Sequence, residues 1–319
     1  MHYLFPGKGL SSLILGLALI FSGQATAEDF NPRIEHWQAW PEGYPQFNYS
    51  REELTERWER LHLRDQAPFP DADYVRNFSA TPPQDPDAVA LQLLDGWRAF
   101  HAGDFEAAFR AGFEAGVPGD FLAGRAWMAY AVHRVEDEAE RRDMLQALIG
   151  FIEENMDERD PPPAYWEIAG LALIYGEYAR TLSTNRARSE GIPGTVRDLV
   201  IEALEAEPRH PAALGVLAGW HAEIIGRVGR ILARTLYGAS RDEIPEYFDR
   251  ALAIDPDLVQ LHREYGEALL RVYGSSREDE ALQHLRKAQE ITPINAEDYL
   301  EQRRAQRLHD AWRSEGKLP

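Results

Sequence analysis

The 319-residue chain contains no cysteine. That excludes disulfides, thiolate chemistry, cysteine-ligated zinc and a lipidated N-terminal cysteine. Stability has to come from packing alone. Positive charge is also in short supply. Lysine and arginine number 34 against 53 acids, for a formal net charge of −19. Nucleic acid and anionic membrane surfaces require a dense basic face, so both are disfavoured as partners. The motifs of the common enzymes are missing too: no G-x-S-x-G elbow, no phosphate loop, no G-x-G-x-x-G and no H-E-x-x-H. The ten histidines stand singly, with no pair at helical ligand spacing. No catalytic residue, metal or cofactor is therefore expected, and a hydrolase ranks third among the functional readings. Beyond residue 27 no apolar run is long enough to cross a bilayer.

What is present begins with a secretory pattern. Lys8 supplies a positive n-region, Leu10 to Phe21 is apolar, and Ala25-Thr26-Ala27 is a small-x-small cleavage site. The run is too short for a stable membrane anchor. Residues 1–27 are expected to be removed and the protein to be periplasmic. Cleavage takes away one lysine and no acid, leaving a mature charge of −20.

Residues 28–86 differ in composition from the rest. Trp37, Trp40, Tyr44, Phe47 and Tyr49 come first, then Pro68, Pro70, Pro82, Pro83 and Pro86. Proline removes backbone donors and forces extended neighbours. An irregular arm is expected, packed on the first helices by its aromatics. It should hold one helix, Arg51 to Leu63, with Ser50 as N-cap.

From Asp87 to the end the apolar residues recur at three- and four-residue steps, and strand alternation is hard to find. Leu91, Leu94, Trp97 and Phe100 share a face, Gly103-Asp104 breaks the chain, and Phe105, Ala108 and Phe109 begin a return helix. Further helices are expected at about 118–134, 137–155, 162–187, 194–206, 210–236, 242–253, 257–273, 276–290 and 294–313. Three return helices end alike, with Ala203, Ala251 and Ala288 each five residues before Pro208, Pro256 and Pro293. The alanine lets two helices approach at their crossing, and the proline stops the helix and pre-sets the next turn.

Ala281, Leu285, Ala288 and Pro293 have the spacing of a tetratricopeptide second helix. Phe248, Ala251 and Pro256 repeat most of it, with Ile244 in the first alanine's place, and near the start Gly96, Gly103, Phe105, Ala108 and Ala115 also fall at tetratricopeptide spacing. The chain thus resembles the tetratricopeptide family over most of residues 87–313. The resemblance implies an all-α solenoid of antiparallel helix pairs that binds a partner on its concave face. Three departures are visible: proline intervals of 48 and 37 residues where the family unit is about 34, no terminal proline in the early pair, and missing first-helix aromatics. A narrower likeness rests on Gly176-Glu177-Tyr178-Ala179-Arg180 with Ser183-Thr184, and on Trp220-His221-Ala222-Glu223 followed by Leu236-Tyr237-Gly238-Ala239. These strings are similar to a group of proteobacterial periplasmic tetratricopeptide proteins. In architecture and compartment the chain also resembles the helical-repeat accessory subunits of tripartite ATP-independent periplasmic transporters.

The helix from Pro211 to about Leu236 interrupts the repeat. Arg227, Arg230 and Arg234 lie on it at i, i+3 and i+7 and are expected to form one cationic row, approached by Arg180, Arg186 and Arg188. Such a cluster either holds a carboxylate or phosphate or is spent on surface ion pairs. His221 sits in the apolar stripe of the same helix beside Trp220. It either contacts a ligand or is a core histidine satisfied by a neighbouring hydroxyl or carbonyl. Glu223 is on another side of the helix and cannot be its partner. The acidic run Glu153, Glu154, Asp157, Glu158 and Asp160 lacks the alternation of a calcium loop and reads as a solvated helix end. Trp97, Trp127 and Trp166 stand among apolar neighbours and read as core.

Two functional readings follow. One is a periplasmic scaffold that holds a protein partner on a concave face. The other is a solute-binding accessory subunit holding a small anionic or apolar molecule near the arginines. The export pattern makes a direct prediction. N-terminal sequencing of the protein from a periplasmic extract should begin at Glu28, and retention of Met1 would remove the periplasmic assignment.

Overall fold

The computed structural model describes residues 37–79, 81–157 and 161–318. Residues 1–36, which include the expected secretory segment, and residues 158–160 of the acidic run lie outside these. Among the described residues the regular structure is helical, with no strand. No described helix is long and apolar enough to cross a membrane.

The arm contains α1 (Arg51–Leu61), and Ser50 caps it as expected. The Ser50 hydroxyl accepts from the Glu53 amide while Glu53 reaches back to the Ser50 amide, a reciprocal capping box. A second short helix, α2 (Ala72–Asn77), was not expected from the sequence. It is a single turn and a half, too short to show periodicity, and its one local signal is Asp71, whose carboxylate accepts from the Tyr74 amide at 2.8 Å.

α3 (Pro86–Ala102) and α4 (Phe105–Glu114) form the first hairpin, capped by Asp85 and Asp104. The turn between them depends on Gly103, which has φ +89° and whose place for a Cβ is taken by the Trp40 ring. α5 (Asp120–Arg134), α6 (Glu138–Asp157) and α7 (Tyr165–Arg180) follow. The helix expected over 162–187 is broken after Arg180, where Ser183 caps the short α8 (Thr184–Ser189). α9 (Ile192–Ala206) and α10 (Pro211–Val228) come next. The helix expected over 210–236 stops at Gly229, which has φ 77° and ψ 158°. After it come one turn, α11 (Arg230–Leu232), and a π turn over Ala233–Tyr237. α12 (Glu243–Leu252), α13 (Val259–Tyr273), α14 (Glu278–Glu290) and α15 (Ala296–Glu315) complete the chain.

Helices pack on their neighbours in sequence: α3 on α4, α4 on α5, α7 on α9, α10 on α12 and α13, and α13 on α14. Ala203, Ala251 and Ala288 are fully buried, as their spacing predicts. Gly266 serves the α13–α14 crossing in the same way. A Cβ there would lie 2.7 Å from Leu285 and 2.8 Å from the Ala281 carbonyl. Trp97 and Trp127 are core residues, and Trp166 packs on Phe78 and Tyr165.

The last helix does more than extend the stack. α15 packs on α13 and α14 and also on α3, so it joins the early helices to the late ones. The arm follows it. Trp37 packs on Phe109 and Tyr130 of the early helices, whereas Trp40 and Tyr44 pack on Tyr299 of α15. The Tyr49 hydroxyl donates to the Ile294 carbonyl at 2.6 Å. The arm therefore bridges both ends instead of covering the first helices only. At the α13–α14 crossing, Ala288→Leu should overpack the interface and cost about 1–3 kcal/mol. An unchanged thermal midpoint would show that the crossing yields.

Candidate functional site

Three helices carry a glutamate followed by an arginine near their C-terminal ends: Glu177 and Arg180 on α7, Glu223 and Arg227 on α10, Glu267 and Arg271 on α13. The spacings of three and four residues put each pair on one helix face. Packing brings the three faces together. Arg180 donates to Glu267 at 2.7 Å. Arg271 donates to Glu267 at 2.8 Å and lies 3.5 Å from Glu223. Arg227 donates to Glu223 at 2.5 Å and to the carbonyls of Leu182 and Ala179 at 2.8 and 2.9 Å. Arg227 thereby ties α10 to the broken end of α7.

Behind these pairs lies a fully buried charge. Arg263 on α13 has no solvent exposure. It donates to Glu301 of α15 at 2.6 Å, to Glu267 at 3.0 Å and to Glu264 at 3.0 Å. Glu301 also meets His133 of α5 at 3.4 Å and Arg304 at 3.3 Å. One turn earlier on α15, Glu297 accepts from Arg125 of α5 at 2.6 Å and lies 3.5 Å from Arg64 of the arm. Burial alone would raise the Glu267 carboxyl, but Arg180, Arg263 and Arg271 outweigh it and hold it well below the usual range. Glu223 is likewise lowered against its burial, by Arg180, Arg271 and Arg227. Glu267 in turn raises the Arg180 guanidinium well above its ordinary value. Glu267, Glu223 and Arg180 are therefore charged at neutral pH.

The six charged side chains from α7, α10 and α13 separate two lobes of a cavity, and all six line both. The inner lobe, about 80 Å³, is apolar, with Leu173, Ile192, Val196, Trp220 and Ala268 in its wall. The outer lobe, about 410 Å³, adds Glu138, Arg141, Thr181, Arg304, Arg307 and Leu308. Its size falls in the range of small-molecule pockets, about 300–1,000 Å³. Two helix-interior glycines, Gly176 and Gly219, line the inner lobe, and a Cβ at either would meet no atom within 4 Å.

The arginine row expected along one helix does not exist. Gly229 turns the chain, so Arg227 points inward and lines the cavity while Arg230 and Arg234 are exposed beyond the break. A straight-helix projection cannot anticipate a glycine with positive φ in mid-segment. Arg180 does meet Arg227, through Glu267, Arg271 and Glu223. Arg186 does not: it pairs with Glu190 at 2.6 Å, and Arg188 is exposed. Trp220 lines the inner lobe and donates to the Pro193 carbonyl at 2.8 Å.

His221 faces away from the cavity. Its Nδ1 accepts from the Ser240 amide at 3.1 Å, and its Nε2 lies 2.6 Å from Glu243. It is a core histidine, satisfied by an amide and a carboxylate in place of the hydroxyl or carbonyl anticipated. Sequence reasoning missed Glu267, Arg271, Arg263, Arg304 and Arg307. The signal for the first two was available: Glu177, Glu223 and Glu267 recur 46 and 44 residues apart, each with its arginine.

Among the described residues, no group of three or more His, Asp or Glu side chains is placed to hold a metal ion. The fold and the site together define an all-helical protein with a two-lobed cavity, apolar within and arginine-rich at its mouth. No family model matches the chain, and no curated protein matches it.

The buried histidines set a pH dependence. Desolvation lowers His210, His221 and His284 to about 4. The neutral state is built into the first two, because the Nδ1 of each accepts a backbone amide, from Ala213 and Ser240. In the unfolded chain these rings titrate near 6.5. Between pH 6.5 and 4 the unfolded chain takes up protons that the folded one refuses, so this stability is full above 6.5 and lost as pH falls. Asp298, raised to about 6 by burial, acts in the opposite direction, while His133, also lowered to about 4 by burial, adds to the loss. The thermal midpoint should therefore drop across that window, each histidine contributing about 1.4 kcal/mol per pH unit at most. A midpoint flat from 7 to 4.5 would mean that the rings protonate in place.

Proposed function

We propose that this chain is an exported, tetratricopeptide-like helical solenoid that binds a small molecule with an apolar body and an anionic end, without catalysing a reaction. It would do so in the periplasm, in the manner of a solute-binding accessory subunit of a transporter. The observation that carries the binding reading is the apolar inner lobe with Gly176 and Gly219 in its wall. A glycine inside a helix costs about 0.5–1 kcal/mol relative to alanine. No packing contact accounts for either one, since both face open space in the cavity. Their effect is to keep room for a ligand. Trp220, Leu173 and Val196 suit an apolar body, and the arginines at the mouth suit an acidic end.

The scaffold reading has one observation in its favour. Ile231, Leu232 and Leu236 are 77%, 53% and 54% exposed, flanked by Arg230 and Arg234. An exposed apolar cluster of this kind marks contact surfaces.

The test uses octanoate as a probe. Titration calorimetry should detect binding to the full chain. Gly219→Leu should abolish it by filling the inner lobe, and the thermal midpoint should hold or rise because leucine is the better helix former. Binding that survives Gly219→Leu, or no binding to the unaltered protein, would overturn the reading.

A further inference from the structure

The outer lobe does not have balanced charge. Arg141, Arg180, Arg227, Arg271, Arg304 and Arg307 line it against Glu138, Glu177, Glu223 and Glu267, an excess of two positive charges. The chain as a whole carries −19, so this excess is a local reversal of sign. The partition between the two parts of the lobe is informative. At the boundary with the inner lobe three arginines face three glutamates, each within ion-pair distance of a partner. The excess lies farther out, where Arg141, Arg304 and Arg307 face Glu138 alone.

Among the described residues Arg141 and Arg307 donate to no carboxylate, and Arg304 reaches Glu301 alone. Arg141 donates to the Val135 carbonyl at 2.9 and 3.2 Å and to the Glu136 carbonyl at 3.2 Å, which caps the end of α5 and leaves its charge unneutralised. Arg304 reaches Glu301 at 3.3 Å, but Arg263 already holds that carboxylate at 2.6 Å. Arg307 stands at the rim and makes no hydrogen bond or ion pair among the described residues. Partial desolvation, and after it the like charges of Arg304 and Arg303, pull its guanidinium below the ordinary value. Crowded guanidinium groups with spare donors are costly unless an anion is shared between them, and their planar forks match phosphate oxygens in pairs. A field of one sign in a cleft also concentrates ions of the other.

We propose that the outer lobe is a subsite for a doubly charged head group, a phosphate monoester, gripped by Arg304 and Arg307 while the apolar part of the same ligand fills the inner lobe. The subsite rests on the cavity reading above and narrows it from any acidic end to a dianionic one. A singly charged head would leave one positive charge of the lobe uncompensated, whereas a dianion cancels the excess.

Three probes with one eight-carbon tail separate the possibilities at pH 8: octanoate, octyl sulfate and octyl phosphate. The sulfate shares the tetrahedral shape of the phosphate but carries one charge, and the phosphate is dianionic because its second ionisation lies near pH 6. Calorimetry should show octyl phosphate binding the unaltered protein on the order of tenfold or more tighter than octyl sulfate, as expected for an added charged hydrogen bond. Arg307→Gln, at an exposed and unbonded position, should leave the circular dichroism spectrum unchanged. It should erase most of the phosphate preference over sulfate while the thermal midpoint stays unchanged. Equal affinity for sulfate and phosphate would overturn the subsite and leave the cavity reading standing. A phosphate preference that survives Arg307→Gln and the double change Arg304→Gln, Arg307→Gln would also overturn it. If none of the three probes binds, the cavity reading fails and the subsite with it.

Discussion

The structure turns on a guanidinium that never meets water. Taking a single charge out of solvent costs several kcal/mol even after relaxation, and the cost is offset only by near-complete pairing. Arg263 meets that condition through three carboxylates, Glu264 and Glu267 on its own helix and Glu301 on α15. Glu267 is shared with Arg180 and Arg271, and Glu301 with His133 and Arg304. No member can leave without stranding another, so α5, α7, α13 and α15 are held in one arrangement. Apolar packing alone would tolerate small slips between these helices, because it has no direction. The charge network does not tolerate them.

That rigidity makes a cavity possible. A void lined by aliphatic side chains ordinarily collapses or costs stability in proportion to its volume. Here its walls are α7, α9, α10 and α13, and three of the four are tied to one another by the glutamate–arginine pairs at its mouth. The same pairs form the boundary between an apolar interior and a charged entrance. The glycines that widen the inner lobe and the arginines that border it belong to the same helices, so position along each helix sets how deep a group lies.

Much of the fold was legible in the sequence. Three-and-four periodicity located nearly every helix of the described residues, because one apolar face per helix is a local requirement of burial. Alanine followed five residues later by proline marked three helix ends, and all three alanines are fully buried. The breaks were less legible. Gly229 and Thr181 to Ser183 interrupt helices whose side-chain pattern continues across the break, and pattern cannot distinguish a pause from a run. α2 was missed because a turn and a half has no period to detect.

The sequence by itself determined an all-helical chain, the small residues at its crossings, and the placement of one glutamate–arginine pair on each of three helices. Those properties depend on neighbours within a few residues, where spacing decides which side chains share a face. Tertiary structure alone decided that the three pairs meet, that α15 and the arm join the two ends of the stack, and that Arg227 turns inward while Arg230 and Arg234 face solvent. Each of these depends on groups far apart in the chain, such as Arg180 with Glu267 or Tyr49 with Ile294. Their encounter is set by how whole helices pack, and no local pattern records it.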